Sequence, residues 1–266
     1  MNSSLKQYFI SVFLSALLLV QPAVGAIPFS FWKTPPASGF TVSSTLFDGS
    51  TNSISRATSP RSDGATGLVS IWIKEATNFD KHNLLHTASG YIELARGAGT
   101  FPTLIVYDAS AVQKIGWTST VPVFNDGNWH HILLAWDLSG PTFRAYVDDT
   151  ATNTTTTLAS GTAHYAATDW YIGQASGGAN FLSGTLSEYY FTNEYLDISV
   201  AGNRRKFDDG SAAPGHPVNL GTTGNLPTGT SALIYLHNPY TSFGTNNGSV
   251  GGWSTNGTLA PGASTP

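Results

Sequence analysis

The sequence contains no cysteine and little charge, and these two absences narrow what the protein can be. None of the 266 residues is cysteine, so disulfide bonds, thiolate nucleophiles and thiolate metal ligands are excluded. Charged residues make up only 11% of the chain, and the formal net charge is −4. Residues 203–206 (NRRK) form its only basic cluster. Nucleic acid is therefore not an expected partner, because binding to phosphates depends on dense positive charge.

Long apolar runs are also missing, except near the start of the chain. Residues 8–20 (YFISVFLSALLLV) are apolar or small, Lys6 precedes them, and residues 24–26 (VGA) supply the small side chains that a signal peptidase requires. This pattern predicts a cleaved signal peptide over residues 1–26, because its apolar core is too short to span a bilayer comfortably. No later run reaches the roughly 18 residues of a spanning helix. We therefore expect a protein that is secreted, periplasmic or on the cell surface, without a membrane span.

Alternation of apolar residues with other residues recurs along the rest of the chain. This period of two predicts strands, because successive side chains of a strand point to opposite faces. The predicted strands cover residues 68–75, 91–96, 103–107, 129–137, 142–148, 169–173 and 181–192, with late strands within 232–237 and 252–259. The short loop at residues 138–141 (LSGP) indicates an antiparallel hairpin. Only residues 196–206 have a helical pattern, with Asp197 or Ser199 as the N-cap and Gly210 beyond the end.

A chain of this length without disulfides must be stabilised by one large hydrophobic core. We therefore predict a single β-sandwich domain over residues 27–260. The late strands close it, since neither is large enough to bury a face alone. Residues 261–266 (PGASTP) are small and predict a flexible tail.

Several segments, in this order, resemble laminin-G-like domains of the concanavalin A-like lectin/glucanase superfamily. The most specific is the block at residues 127–148, where GNWHHI runs into AWD and then FRAYVD. The supporting segments are LFDG at 46–49, LVSIWIK at 68–74, YIG at 171–173, residues 181–191 and the helix from Leu196. Residues 217–259 resemble, more faintly, an extension of such domains in phage and prophage structural proteins.

This resemblance implies an all-β fold, a two-sheet antiparallel jelly-roll sandwich with one short late helix. It also implies a curved face that binds sugars or other surface polymers. The superfamily contains glycoside hydrolases and lyases as well, so the fold alone does not decide the function.

The sequence lacks the common catalytic patterns. Glycoside hydrolysis usually needs two carboxylates that flank the bond, and none of the four glutamates lies in a Glu-x-Asp-x-Glu arrangement. Neither His-Glu-x-x-His nor Gly-x-Ser-x-Gly occurs. We therefore expect no enzymatic activity. A divergent polysaccharide-active hydrolase or lyase stays an alternative, because scattered aspartates can converge in space.

Two adjacent histidines lie in the apolar run of residues 129–137 (WHHILLAWD). On a strand, His130 and His131 point to opposite faces, so they do not chelate one ion. Buried histidines usually hydrogen-bond to a backbone carbonyl or a turn carboxylate. We interpret both as structural residues of a central strand, and we assign Trp129 and Trp136 to packing.

Calcium is the metal that this composition favours, because its ligands are carboxylate and carbonyl oxygens rather than thiolates. The resemblance implies that one structural or ligand-bridging Ca²⁺ is common in such sandwiches. Asp48 and Glu188 are the candidate ligands, since the early and late strands of this fold lie close together. An alternative is that Asp48 only caps its Asp-Gly turn. We expect no required cofactor and at most one Ca²⁺.

Sugar binding needs flat aromatic faces together with polar side chains that orient hydroxyls. Trp72 lies on the Ser/Lys side of its strand and is predicted to face solvent; Tyr107 and Trp117 flank the loop with Asp108, and Trp170 precedes a glycine-rich turn. We take these four aromatics as candidate ligand-binding residues, with packing as the alternative for each. The sequence therefore predicts a non-catalytic, lectin-like adhesion module for carbohydrate or a cell-surface polymer. A structural module of a virion or cell-surface assembly is the other alternative.

Overall fold

The computed structural model describes residues 40–75, 82–97 and 99–266. The predicted signal peptide and the first residues of the predicted domain lie outside these ranges. The strands are β1 (Thr45–Asp48), β2 (Ser53–Arg56), β3 (Thr66–Lys74), β4 (Asn83–Thr87), β5 (Ile92–Arg96), β6 (Pro102–Tyr107), β7 (Gln113–Thr118), β8 (Trp129–Asp137), β9 (Thr142–Val147), β10 (Thr150–Ala151), β11 (Thr155–Leu158), β12 (Trp170–Ile172), β13 (Ser183–Thr192), β14 (Ile234–Leu236), β15 (Ser254–Asn256) and β16 (Ala260–Pro261). The one α-helix of the described residues is α1 (Ala201–Arg204), and short 3-10 turns lie at Ala88–Gly90 and Tyr240–Ser242.

The strands form two antiparallel sheets of eight strands each. Sheet A has the order β10-β9-β8-β3-β13-β1-β16, with β14 also paired to β13, and sheet B has the order β11-β7-β6-β5-β4-β12-β2-β15. The hairpin predicted at residues 138–141 joins β8 to β9, and the late strands β14 and β15 pair with β13 and β2. The predicted all-β antiparallel sandwich is therefore confirmed.

The main core lies between the two sheets. In β6 the burial alternates residue by residue, as expected for a strand with one face against the core. In β3 and β8 nearly every residue is buried. These two strands pair with each other along their whole length, from Thr66 opposite Asp137 to Lys74 opposite Trp129. Both of their faces must therefore be covered by apolar side chains.

A second apolar cluster covers the outer side of sheet A. Leu68, Leu133 and Tyr190 project from β3, β8 and β13 into this cluster. The residues that cover them come from the chain after β13 and are Ile198, Phe207, Leu220, Ala232 and Tyr235. We call this side of sheet A the covered face.

The predicted helix and tail differ from the structure. The helix spans Ala201–Arg204 rather than residues 196–206, because Asp197 accepts hydrogen bonds from Ser199 and forms a separate turn before it. The predicted flexible tail packs along sheet A. Its first residue, Pro261, pairs with Thr45, and the Ser264 carbonyl accepts a hydrogen bond of 2.7 Å from Ser44. Among the described residues, no helix has the length and apolar character to cross a membrane.

Candidate functional site

The outer side of sheet B carries a transverse row of five residues, of which four are half-buried and one, His86, is buried. Ser55, Tyr171, His86, Glu93 and Ile105 lie opposite one another in register across β2, β12, β4, β5 and β6. Directly paired residues point to the same side of a sheet. Their strand neighbours Ile54, Ile172, Leu85, Leu94 and Leu104 belong to the core between the sheets, so the row points away from that core. We call this side of sheet B the open face.

His86 is held in one orientation at the centre of the row. It is 9% exposed, and its Nδ1 accepts a hydrogen bond of 3.3 Å from the backbone N–H of Ser176, in the loop between β12 and β13. Because Nδ1 is an acceptor, a neutral ring carries its proton on Nε2. This nitrogen points to the space above Gly90: a Cβ placed on that glycine would lie 3.7 Å from Nε2 and 3.8 Å from Glu93 Oε2.

Two more tyrosines lie beside the row, where β5 and β6 meet. The backbone N–H of Tyr107 donates to the Tyr91 carbonyl at 2.8 Å, and both side chains are half-buried. Tyr91 packs edge-on against His164 at 4.5 Å, and the carboxylate of Asp63 holds His164 Nδ1 at 2.9 Å. Of the four predicted ligand-binding aromatics, Tyr107 is the one that lies on the open face.

The other three predicted aromatics are buried. Trp72 does point to the outer side of sheet A, but that side is the covered face, so its predicted exposure is wrong. It is 1% exposed and stacks on His131 at 4.6 Å. Trp117 and Trp170 point inward: they pack against Phe143 and Phe191, and their indole N–H groups donate to backbone carbonyls. None of the three offers a flat face to a ligand.

The structure does not bring the two predicted calcium ligands together. β1 and β13 do pair, as expected, but Asp48 lies opposite Ser183, five residues along the strand from Glu188. The carboxylate of Asp48 accepts hydrogen bonds from the backbone N–H groups of Ser50, Thr51 and Asn52. Burial works against the charged form, but these hydrogen bonds outweigh it and hold the pKa of Asp48 well below its usual range. Asp48 thus caps its turn, as the alternative interpretation holds.

Glu188 lies on the covered face in an unusual backbone conformation. It lies at an irregularity between Ser187 and Tyr190, has a φ of 45°, and is 1% exposed. The Tyr235 hydroxyl donates to one carboxylate oxygen at 2.8 Å, and the other oxygen has no hydrogen-bond partner. Burial raises the pKa of Glu188 to about 8, and the bond from Tyr235 offsets this only in part. Among the described residues, no three His, Cys, Asp or Glu side chains are grouped as metal ligands.

The two adjacent histidines point to opposite sides of β8 and contact side chains of the protein itself. The ring of His130 lies between two turn carboxylates, 2.6 Å from Asp148 and 3.0 Å from Asp126. His131 faces the covered side and lies 2.9 Å from the Ser70 hydroxyl. This geometry agrees with the structural interpretation of both residues.

The two tryptophans of the same strand also contact the protein. Trp136 is buried and donates its indole N–H to Tyr165 at 3.0 Å. Trp129 is half-buried and donates to Ser264 in the C-terminal segment at 3.1 Å. Both therefore belong to the packing of sheet A.

Sequence reasoning missed three residues of the row: Tyr171, His86 and Glu93. The signal for Tyr171 was present, because alternation in residues 169–173 (DWYIG) places it opposite to Trp170 and Ile172. No local signal identifies His86, since its strand, NLLHT, does not alternate between apolar and polar residues and is buried throughout. Its position beside Tyr171 follows from pairing between β12 and β4, which are distant in sequence.

Comparisons with solved structures give matches at low sequence identity. Among solved structures, a candidate carbohydrate-binding protein from Bacteroides ovatus has a TM-score of 0.55 and 14% identity, over 85% of this chain and 61% of its own. A heptameric SAP-like pentraxin from Limulus polyphemus has a TM-score of 0.45 and 16% identity, over 58% of this chain and 77% of its own. Domains LG4-5 of the mouse laminin alpha1 chain have a TM-score of 0.43 and 12% identity, over 68% of this chain and 48% of theirs. At these identities the likeness concerns the fold.

Comparison of the sequence with models of protein families identifies the family of this chain. No curated protein is significantly similar to the chain. The model of a laminin G family, described as the concanavalin A-like lectin/glucanases superfamily, matches residues 48–197. This match covers more than half of the chain and includes β2 to β13, and with them the whole row from Ser55 to Ile105. The chain therefore belongs to the laminin G family of the concanavalin A-like lectin/glucanase superfamily.

Proposed function

We propose that this protein is an exported, non-catalytic module that binds carbohydrate or another surface polymer through the open face of sheet B. The observation that carries the proposal is the row formed by Tyr171, His86 and Glu93 on neighbouring strands. An aromatic ring supplies a flat apolar surface for the C–H groups of a sugar, and polar side chains beside it orient the hydroxyls.

The positions of the glutamates support a role without catalysis. Glu93 is on the open face, whereas Glu75 is buried beside Arg96 at 3.0 Å, and Glu188 is buried on the other sheet. The carboxylates of glycoside hydrolases flank one bond at about 5–9.5 Å from each other. Glu194, in turn, accepts a hydrogen bond from Thr230 after β13, so the four glutamates lie at separate places in the fold.

Charge and the start of the chain support the proposed partner and location. Arg204 and Arg205, from the only basic cluster, both pair with Asp149, which leaves that cluster ill-suited to nucleic acid. The signal-peptide pattern of residues 1–26 supports export to the periplasm, the cell surface or the medium.

A glycan array tests this proposal. The wild-type protein should bind at least one class of glycan, and Tyr171→Ala should weaken that binding by about tenfold or more, because a stacked aromatic contributes on the order of 1.5 kcal/mol. Tyr240→Ala is the matched control: Tyr240 is 36% exposed and lies in a 3-10 turn after β14, outside the row. Absence of binding to every glycan would favour the alternative, a structural module of a virion or cell-surface assembly.

A further inference from the structure

We infer that the open face binds a polysaccharide as an extended chain of several sugar units, which lies across the strands of sheet B and contacts two separate aromatic subsites. The first subsite is Tyr171, and the second consists of Tyr91, Tyr107 and His164. This inference rests on the proposed function and adds to it the form of the ligand, a chain rather than a single sugar.

The row on the open face continues to both edges of sheet B. Beyond Ser55 it continues with Ser254 on the edge strand β15. Beyond Ile105 it continues with Gly116 on β7 and Thr157 on the other edge strand, β11. The eight strands of this sheet are separated by spacings of about 4.8 Å, so the row is roughly 34 Å long. The open face is therefore long enough, across its strands, for a chain of several sugar units.

The two aromatic subsites lie too far apart for one sugar ring to contact both. Tyr171 is on β12, whereas Tyr91 directly precedes β5 and Tyr107 ends β6. The strand β4 lies between β12 and β5, so Tyr171 is about 10 Å from Tyr91 and about 14 Å from Tyr107 across the sheet. All three side chains are half-buried and keep part of their surface exposed. Different units of one chain can therefore stack on the two subsites.

Contacts within the protein hold the second subsite in place. The rings of Tyr91 and His164 meet edge to face, with centroids 4.5 Å apart and an angle of 72° between the planes. The backbone N–H of His164 donates to the Tyr107 carbonyl at 3.0 Å, and Asp63 holds the imidazole at 2.9 Å. The residues after Asp63 and before His164 form an antiparallel bridge. Because the rings are fixed before a ligand arrives, binding orders fewer side chains and costs less entropy.

His164 also gives the second subsite a polar group. Its Nδ1 donates to the Asp63 carboxylate, so Nε2 of the neutral ring is an acceptor. Within the part of the chain that the structure describes, Nε2 has no hydrogen-bond partner. A sugar hydroxyl can donate to this nitrogen while the C–H groups of the same unit lie against a tyrosine ring.

The first test compares ligands of different chain length. Titration calorimetry on the intact protein uses oligosaccharides of β-glucan, xylan, mannan and chitin, from the monosaccharide upward. For the class that binds, affinity should rise with chain length by about tenfold or more and level off once the chain reaches both subsites. Equal affinity for the shortest chain that binds and for the longest would overturn the inference.

The second test removes each subsite in turn. Tyr171→Ala and Tyr107→Ala should each weaken binding of the long chain about tenfold, and each should abolish the gain with chain length, because only one subsite is left. Tyr107→Phe keeps the flat ring and should keep the gain, as should the control Tyr240→Ala. Tyr91→Ala removes a ring from the same subsite and replaces Tyr107→Ala if that variant melts early.

The outcomes separate this inference from the proposed function. If Tyr171→Ala weakened binding of every chain length equally, while Tyr107→Ala and Tyr91→Ala left it unchanged, the second subsite would be overturned and the proposed function would stand. If the wild-type protein bound no polysaccharide of any length, the proposed function itself would fail.

Discussion

The outer faces of the two sheets are both formed by strands in which apolar residues alternate with others, but the outer face of sheet A is buried and that of sheet B is partly exposed. On sheet A, the outward residues Leu68 and Leu133 are buried by the chain that follows β13. On sheet B, the outward residues Tyr171 and Ile105 stay partly exposed. A sheet with one face in the core can bury its second face only if another layer packs on it, and the C-terminal third of this chain supplies that layer to sheet A.

The comparison shows how this fold separates stability from binding. Covering one outer face adds apolar burial to the core, while leaving the other uncovered keeps aromatic and polar side chains available to a ligand. Residues at equivalent positions on the two faces should therefore respond differently to the same substitution.

The largest expected effect comes from truncating matched residues on the two faces. Leu133 and Ile105 have side chains of equal size and project outward from central strands, but Leu133 is 1% exposed and Ile105 is half-buried. Leu133→Ala should lower the free energy of unfolding by roughly 2–5 kcal/mol, because it leaves a cavity beneath the covering layer. Ile105→Ala should cost about 1 kcal/mol or less.

Urea unfolding at pH 7, followed by circular dichroism, gives both free energies. Equal losses for the two variants would mean that the distinction between the covered and open faces is wrong. The glycan affinity of Leu133→Ala should stay at the wild-type value as long as the protein is folded.

A smaller effect is expected from the buried carboxylate on the covered face. Because the pKa of Glu188 is about 8 in the folded protein and near 4.5 in the unfolded chain, the folded state holds a proton that the unfolded state releases between these pH values. The wild-type protein should therefore lose stability, relative to Glu188→Gln, as pH rises from 4.5 to 8. The slope is up to about 1.4 kcal/mol per pH unit.

Glu188→Gln keeps an oxygen that accepts the bond from Tyr235, so the two proteins differ mainly in whether residue 188 can ionise. Parallel stability curves from pH 4.5 to 8 would contradict a buried, protonated Glu188.

Much of the fold was predictable from local pattern, but the covered face was not. Period-two alternation located β3, β5, β6, β8, β9, β12 and β13, because in each of them the pattern of apolar residues marks the side chains that face the core; it did not locate β4, β7, β10 or β11. It also placed Trp72 on the side opposite Ile71 and Ile73, as the structure has it. Whether that side meets solvent depends on residues such as Phe207 and Leu220, which lie more than 130 positions further along the chain. The exposure predicted for Trp72 was wrong because alternation within one strand does not show whether another layer packs on that side of the sheet.

The candidate site was predictable only in part. Tyr107 was identified because its loop is polar and aromatic, and it lies on the open face. The row itself is assembled by pairing between β2, β12, β4 and β5, and the two most distant of these strands are over 100 residues apart. Register between such strands is set by the whole sheet, so the sequence around His86 or Glu93 does not reveal that they are neighbours.

The smallest effect, and the sharpest test of how the covered face excludes water, concerns the adjacent histidines of β8. Burial lowers the pKa of His131 to about 4. Burial also disfavours the charged form of His130, but Asp148 and Asp126 outweigh it and raise the pKa of His130 above the ordinary 6.5.

The two residues should thus have opposite effects on how the stability of the folded state depends on pH. His130 stabilises the folded state below pH 6.5, and this contribution is lost as pH rises through its raised pKa. His131 stabilises it above pH 6.5, and this contribution is lost as pH falls towards 4.

An NMR titration of the ring protons, assigned with His130→Gln and His131→Gln, should show the two pKa values on opposite sides of 6.5. Titration of both rings near 6.5 would mean that water reaches His131 and that the layer over sheet A is open.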